Sequence, residues 1–179
     1  NITGLRWEEI ESKIIRENRV KDFQKFLSDY AGLDYELSSI KTGRRDITTG
    51  QEEFSLVAKY GDNKYSLSSL LSSGEQALEL FYYAEMHIKE ITFLFIDAFD
   101  AFYHSELSKK IMEYLNKQKT FQSFVTTHNT SLMSNEINRP DTIFLLSNNK
   151  IRPLCDCTDR ELREGHNLEK IYRNKGFRE

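Results

Sequence analysis

The run from Ile91 to Asp97, with the sequence ITFLFID, constrains the fold more than any other part of the chain. It is short, almost continuously apolar and rich in residues that favour strands, and it ends in a carboxylate. Such runs are typical of strands that are covered on both faces, as the strands of a parallel sheet are. The sequence therefore predicts a buried parallel strand here, and with it an α/β fold.

The segments on both sides of this strand continue the α/β pattern. Residues 75–88 and 104–117 have helical periodicity, and residues 121–127 form a second apolar strand that ends at His128. The later elements are predicted as a strand over 141–146, a turn at Asn148-Asn149, a return strand over 151–154 and a charged helix over 159–174. The residues expected in the core are Leu78, Phe81, Phe93, Phe95, Ile96, Ile111, Leu115, Phe124, Val125 and Phe144.

The N-terminal part of the chain has two different periodicities. Residues 5–31 have helical spacing, with Asn18 as a candidate break and Gly32 as the stop signal. Residues 34–67 alternate in polarity between turn-rich segments, which predicts an antiparallel meander. The expected fold is therefore a parallel sheet with flanking helices plus a small antiparallel β layer.

Composition excludes several classes of protein. The net charge of −3 and the pI near 5.9 give no global basic field of the kind that nucleic-acid-binding domains carry. No apolar run approaches the roughly 20 residues that span a bilayer. Cys155 and Cys157 form a single C-x-C pair, which is too little for a disulfide scaffold, and only His166 lies near as a metal ligand. A reduced, cytoplasmic protein is the expectation.

Two polar side chains stand at the ends of the two apolar strands. Asp97 ends the first strand and His128 ends the second. In open parallel sheets ligands bind outside the carboxyl ends of the strands, where a carboxylate can hold Mg²⁺ and a histidine can contact a phosphate. Taken alone, a residue of either kind at such a position is more often an ordinary strand end or a helix cap than a functional group.

The segment 71–76, LSSGEQ, opens the helix that precedes the first strand. Small residues and free amide groups at a helix N-terminus form an anion site. The simpler interpretation is a capping box between Ser72 and Glu75. Both interpretations stay open at this point.

The order of these motifs carries a family resemblance. An LSSGEQ turn, a helix, a strand ending in Asp, a helix and a strand ending in His resemble the C-terminal half of an ABC-type ATPase head. More narrowly, residues 40–177 are similar to bacterial ABC-like ATPases of the AAA family, such as OLD-type ATPases and the ATPase subunits of the anti-phage systems Septu and PARIS. The resemblance implies ATP and Mg²⁺ as cofactors.

The resemblance also assigns roles to individual residues. Residues 93–97 would be the Walker B strand, with Asp97 placed to bind Mg²⁺. Residues 100–104 would be the D-loop at the dimer interface, with Asp100 among the ATP-binding residues, and His128 would be the switch histidine. The signature motif would contact the γ-phosphate of ATP held by a second copy, mainly through Ser72 and Gly74. Its ATP-binding residues in this sequence are Ser72, Ser73, Gly74, Glu75 and Gln76.

The sequence departs from the family pattern in two places. The catalytic Glu expected after the Walker B Asp is replaced by Ala98, either as a change introduced to trap ATP or as a natural loss of hydrolysis. No G-x-x-x-x-G-K-[ST] segment is present, so the P-loop half is expected before Asn1. Residues 1–33 are then expected to be a helical segment returning from an insertion, and residues 34–179 the C-terminal ATPase lobe.

The resulting expectation is an ATPase-head fragment with impaired hydrolysis. Its ATP-driven pairing with a second copy would control an effector, a nuclease or a toxin, in anti-phage defence. One alternative is a nucleotide-sensing scaffold that never hydrolyses ATP. The other is a head of the DNA-repair or chromosome type, for which the overall charge gives no support although the tail is locally basic. No membrane partner is expected.

Overall fold

A computed structural model describes residues 7–47, 49–101, 103–163 and 165–178. The chain divides into two compact units, an N-terminal unit Asn1–Thr92 and a C-terminal unit Phe93–Glu179. Within the described ranges, every helix is too short or too polar to cross a bilayer.

The N-terminal unit combines helices with a three-stranded antiparallel sheet. The sheet has the order β1-β2-β3, with Leu37 opposite Ala58 and Ala58 opposite Tyr65. Its elements are α1 (Trp7–Arg16), α2 (Val20–Ala31), β1 (Glu36–Arg45), β2 (Glu52–Tyr60), β3 (Asn63–Ser66), α3 (Leu67–Leu70) and α4 (Ser73–Met86). The predicted meander is confirmed.

Two residues with positive φ divide and end the first helical segment. Asn18 has a φ of 55° between α1 and α2, and Gly32 has a φ of 69° after α2. The Gly32 N–H donates to the carbonyls of Leu27 and Ser28, a left-handed cap that glycine adopts without steric cost. The predicted break and stop are confirmed, and residues 5 and 6 of the predicted helix lie outside the described residues.

The core of the N-terminal unit lies between the helices and β2. α1 packs on β2, and both α1 and α2 pack against α4. Phe23 and Tyr82 have ring centroids 4.9 Å apart, which joins α2 to α4 through an aromatic contact. Leu78 and Phe81 are buried as predicted.

The C-terminal unit contains a parallel pair of strands and a separate hairpin. β4 and β5 are parallel, with Phe95 opposite Phe124, whereas β6 and β7 form an antiparallel hairpin through Asn148 and Asn149. Its elements are β4 (Phe93–Ile96), α5 (Ser105–Lys117), β5 (Gln122–Val125), β6 (Phe144–Ser147), β7 (Lys150–Pro153) and α6 (Leu168–Arg173). This mixed arrangement confirms the predicted fold class.

Four aromatic residues that were predicted to lie in the core are exposed, so the prediction is wrong for them. Phe93, Phe95, Phe124 and Phe144 are 54%, 57%, 42% and 48% exposed. Exposure alternates along β4, β5 and β6, because successive side chains of a strand point to opposite faces and one face is uncovered within the described chain. Of the other predictions, Ile111 and Leu115 are buried, and Ile96 and Val125 are half-buried.

The predicted helix over 159–174 is also too long. Of the described residues in this range, only those of α6 are helical, because the side chain of Asn167 accepts the N–H of Lys170 and so starts the helix there. Before α6, the Nδ2 group of Asn135 donates to the carbonyls of Arg163 and His166. These bonds hold the two residues in a loop, where helical turns were predicted.

Replacing Gly176 by Ala is expected to destabilise the C-terminal unit by about 1–3 kcal/mol. A Cβ there would lie 2.6 Å from the Ile171 side chain and 3.0 Å from its carbonyl oxygen. The residue after it, Phe177, is buried with Met133, Leu154, Cys157 and Leu168. The free energy of unfolding measures the effect; Gly165→Ala, where nothing lies within 4 Å of the new Cβ, is the control. Equal stabilities of the two variants would contradict the clash.

Candidate functional site

The carboxyl ends of β4 and β5 meet at one edge of the parallel pair. The N–H of Thr126 donates to the carbonyl of Ile96 over 3.0 Å, so the ladder continues one residue past the strands. The Thr126 hydroxyl donates to Oδ1 of Asp97 and accepts the N–H of Ala98 over 2.8 Å. One hydroxyl therefore fixes both the carboxylate and the peptide that follows it.

Ala98 has an unusual backbone conformation for a residue with a side chain. Its φ is 48°, in the left-handed region, which costs an L-residue about 1–2 kcal/mol. The turn is held from both sides, because the Phe99 N–H donates to the Thr126 carbonyl over 2.9 Å and the Phe99 ring is 1% exposed. The chain therefore reverses sharply just after Asp97, at the position expected for a catalytic Glu.

Asp100 connects this turn to the end of β5. Its Oδ1 accepts the N–H of His128 over 3.1 Å. Burial opposes ionisation, but hydrogen bonds from the Thr127 hydroxyl and the His128 N–H outweigh it and lower the pKa of Asp100. Asp100 is therefore a carboxylate at neutral pH and holds the backbone of His128.

The structure thus brings four of the predicted site residues to one edge. Asp97, Ala98, Asp100 and His128 all follow the two parallel strands and are tied together through Thr126 and Asp100. The roles of these residues stay predictions. Phe102, within the predicted D-loop segment, lies outside the described residues.

Asp97 has the chemistry that a magnesium ion requires. Asp97 is exposed, and the Thr126 hydroxyl donates to Oδ1, so Oδ2 is the carboxylate oxygen that this bond leaves for a ligand. Mg²⁺ in nucleotide sites takes one or two carboxylates, and water and phosphate oxygens complete its shell. The described residues hold no cluster of three or more acidic, His or Cys side chains, so any such ion would depend on phosphate for its remaining ligands.

The LSSGEQ turn belongs to the N-terminal unit, where it forms a complete capping box. The Ser72 N–H donates to Oε2 of Glu75 over 2.6 Å, and the Glu75 N–H donates to the Ser72 hydroxyl over 3.4 Å. The capping interpretation is therefore confirmed. Gln76 joins the turn to α3, since its Nε2 group donates to the Ser68 carbonyl over 3.0 Å.

The capping box leaves donors for an anion. The Ser72 hydroxyl accepts in the box, so its own hydrogen stays available, and the side chain is exposed. Helix geometry gives the first-turn amides of Ser73 and Gly74 no internal acceptor. Capping and anion binding are thus compatible in this turn, although the Glu75 carboxylate reduces its positive potential.

Sequence reasoning missed Thr126 and Thr127. Both hydroxyls bind carboxylates of the loop after β4, Thr126 to Asp97 and Thr127 to Asp100. The signal was available in the sequence, because two adjacent threonines stand between the apolar run and His128. What the sequence could not give is the register that places each of them opposite its partner.

Comparison with known proteins gives one family. A family model described as "AAA domain, putative AbiEii toxin, Type IV TA system" matches residues 8–134. The matched region contains the LSSGEQ turn and both strand ends. A search of curated proteins gave no match.

Proposed function

Because this chain belongs to the AAA-domain family described as "putative AbiEii toxin, Type IV TA system", we propose that it is the C-terminal lobe of an ATP-binding head. Family membership supports nucleotide binding of the ATPase type, typically with Mg²⁺. The proposal goes further: the lobe pairs with a second copy around ATP, and this pairing controls an effector.

The observation that carries the proposal is the edge at the ends of β4 and β5. A phosphoryl-binding site needs a carboxylate for the metal ion and polar groups at fixed positions near the terminal phosphate. Thr126 fixes Asp97, and Asp100 fixes the backbone of His128. Groups held before a ligand arrives lose little freedom on binding, so the Asp97 side chain and the backbone of His128 are preorganised for a charged ligand.

The uncovered face of the parallel pair supports a missing half of the head. Phe93, Phe95 and Phe124 lie exposed on adjoining parallel strands, and the rings of Phe93 and Phe124 are 5.6 Å apart. Parallel sheets are almost always covered on both faces. We propose that a P-loop-bearing half completes this sheet and supplies the cradle for the α- and β-phosphates.

Ala98 implies that the completed head binds ATP but hydrolyses it slowly. A methyl group cannot accept a proton from the attacking water, and general-base catalysis contributes about 10²–10⁴-fold to such rates. The same residue favours the second candidate function, a nucleotide-sensing scaffold. Control of a nuclease or toxin in anti-phage defence rests on the family resemblance alone.

The experiment places a negative charge where the γ-phosphate of a neighbouring copy would bind. In a protein that joins this chain to its P-loop half, Gly74→Asp is expected to weaken ATP-dependent self-association about tenfold or more, because like charges at contact distance repel by more than 1.4 kcal/mol. An acidic residue in the first turn favours the helix itself, so loss of folding does not explain the effect.

Gly74→Asn is the matched control, with nearly the same volume and no charge. Sedimentation at several ATP concentrations measures the association of both variants. Equal association of Gly74→Asp and Gly74→Asn would remove the turn from the nucleotide interface. Nucleotide binding with no self-association in the unchanged protein would favour the sensing scaffold.

A further inference from the structure

Two carboxylic acids are buried inside the N-terminal unit. Glu11 of α1 is 2% exposed and Glu79 of α4 is fully buried. Acidic side chains are almost never buried to this degree unless they are paired or protonated. Glu79 lies on the helix that begins at the LSSGEQ turn, and Glu11 lies on a helix that packs against it.

The hydrogen bonds of this pair are incomplete. Oε2 of Glu11 accepts the N–H of Leu56 in β2 over 2.9 Å, and the Ser55 hydroxyl also contacts this carboxyl. Among the described residues, Oε1 of Glu11 and both carboxylate oxygens of Glu79 have no hydrogen-bond partner. An ionised carboxylate without donors is costly in such a place, whereas a carboxylic acid is much less so.

The surrounding charges do not compensate the two acids. Burial raises the pKa of Glu79 well above its usual value, and the charge of Glu11 raises it further. Burial also raises the pKa of Glu11 against its hydrogen bonds from Leu56 and Ser55, and Glu8 adds to the rise. No described Lys, Arg or His side chain lowers the pKa of either carboxyl.

Most of the other titratable groups on the elements packed around the pair are at least partly exposed, and two are buried among the described residues. β2 contributes the buried side chain of Glu53, and α4 itself contributes Tyr82, whose hydroxyl is buried and has no partner among the described residues. The start of α2 carries an Arg19–Asp22 ion pair, which is solvent-exposed and 3.1 Å long. None of these groups neutralises a carboxylate at Glu79.

We propose that Glu11 and Glu79 form a proton-dependent latch between α1 and α4. With Glu79 protonated the two helices pack as observed, because at most one of the two side chains is then charged. When Glu79 loses its proton, two carboxylates share a site of low polarity, and their repulsion and desolvation loosen the contact between the helices. The latch lies wholly within the N-terminal unit and does not depend on the proposed function.

The sign of the pH dependence follows from the raised pKa values. A carboxyl with a higher pKa in the folded state than in the unfolded state binds more protons when folded. Its favourable contribution is complete below the unfolded pKa of about 4.3 and is lost as pH rises through the folded pKa. The N-terminal unit is therefore expected to lose stability from acid toward alkaline pH, opposite to the usual behaviour of an ion-paired carboxylate.

Glu79→Gln is expected to remove most of this loss. The amide stays neutral, so at about pH 8 the folding equilibrium constant should exceed that of the unchanged chain by roughly tenfold or more, with a small difference near pH 5. Trp7, the single tryptophan, lies on α1 and reports unfolding of this unit by its fluorescence in urea. Glu113→Gln, at an exposed site on α5, is the matched control.

Infrared spectroscopy of the unchanged chain supplies a test that needs no variant to fold. A protonated carboxylic acid at neutral pH gives a C=O stretching band apart from the carboxylate bands, and this band should vanish as pH rises. In a folded Glu79→Gln protein it should be weaker or absent at neutral pH. The absence of the band in the unchanged chain, or equal pH dependence in Glu79→Gln and Glu113→Gln, would overturn the latch.

Discussion

Ala98→Glu is expected to raise ATP turnover about 10²–10⁴-fold in a protein that joins this chain to the proposed P-loop half. The new carboxylate would stand directly after Asp97, whose position is fixed by the Thr126 hydroxyl. From there it can accept the proton of the attacking water, which the methyl group of Ala98 cannot. Steady-state release of phosphate measures the change.

The conformation of residue 98 sets the conditions of this experiment. Because φ is 48°, every residue with a side chain has some backbone strain at this position. The hydrogen bond to Thr126 is donated by the backbone N–H, so a change of side chain does not remove its donor. Ala98→Gln has the size of Glu without the proton-accepting group and is therefore the control. Turnover in Ala98→Glu no higher than in Ala98→Gln would contradict the assignment of this position and favour the sensing scaffold.

Phe99→Ala is expected to lower the free energy of unfolding of the C-terminal unit by about 3–5 kcal/mol. The Phe99 ring is 1% exposed and lies 5.3 Å from the ring of Tyr103. Its removal leaves a cavity beneath the loop that carries Asp97 and Asp100. The loop is then held by backbone and hydroxyl bonds alone, so this variant is expected to weaken nucleotide binding as well.

Phe95→Ala provides the comparison for this change. It removes the same side chain from β4, where the ring is 57% exposed, and is expected to cost less than 1 kcal/mol in this chain by itself. Urea unfolding, followed by circular dichroism, measures both variants. Similar losses for the two would mean that Phe99 does not anchor the loop.

Sequence patterns predicted the elements that depend on neighbouring residues. The capping box of Ser72 and Glu75, the left-handed cap at Gly32 and the break at Asn18 are all set within a few residues of chain. The edge at Asp97 and His128 was predictable for a different reason, because parallel strands joined by a helix must end on the same side of their sheet.

Burial and long-range contacts could not be predicted from the same patterns. An apolar run such as residues 91–97 indicates that a strand can be covered on both faces, but it does not specify which residues would cover it, and Phe93 and Phe95 are exposed. In the same way, the helical spacing of α4 gives no sign that Glu79 is buried. The contacts of Thr126 depend on strand register, which no local signal specifies.

The open aromatic face of β4 and β5 affects how this protein behaves at high concentration. The exposed rings of Phe93, Phe95 and Phe124 on adjoining strands form an apolar patch, and such patches promote self-association without any nucleotide. Wherever the proposed P-loop half is absent and this face stays open, such association would be mistaken for the ATP-driven pairing proposed above. A polar substitution at Phe95 distinguishes the two kinds of association. It should weaken nonspecific association through the patch and leave the LSSGEQ turn of the other unit unchanged.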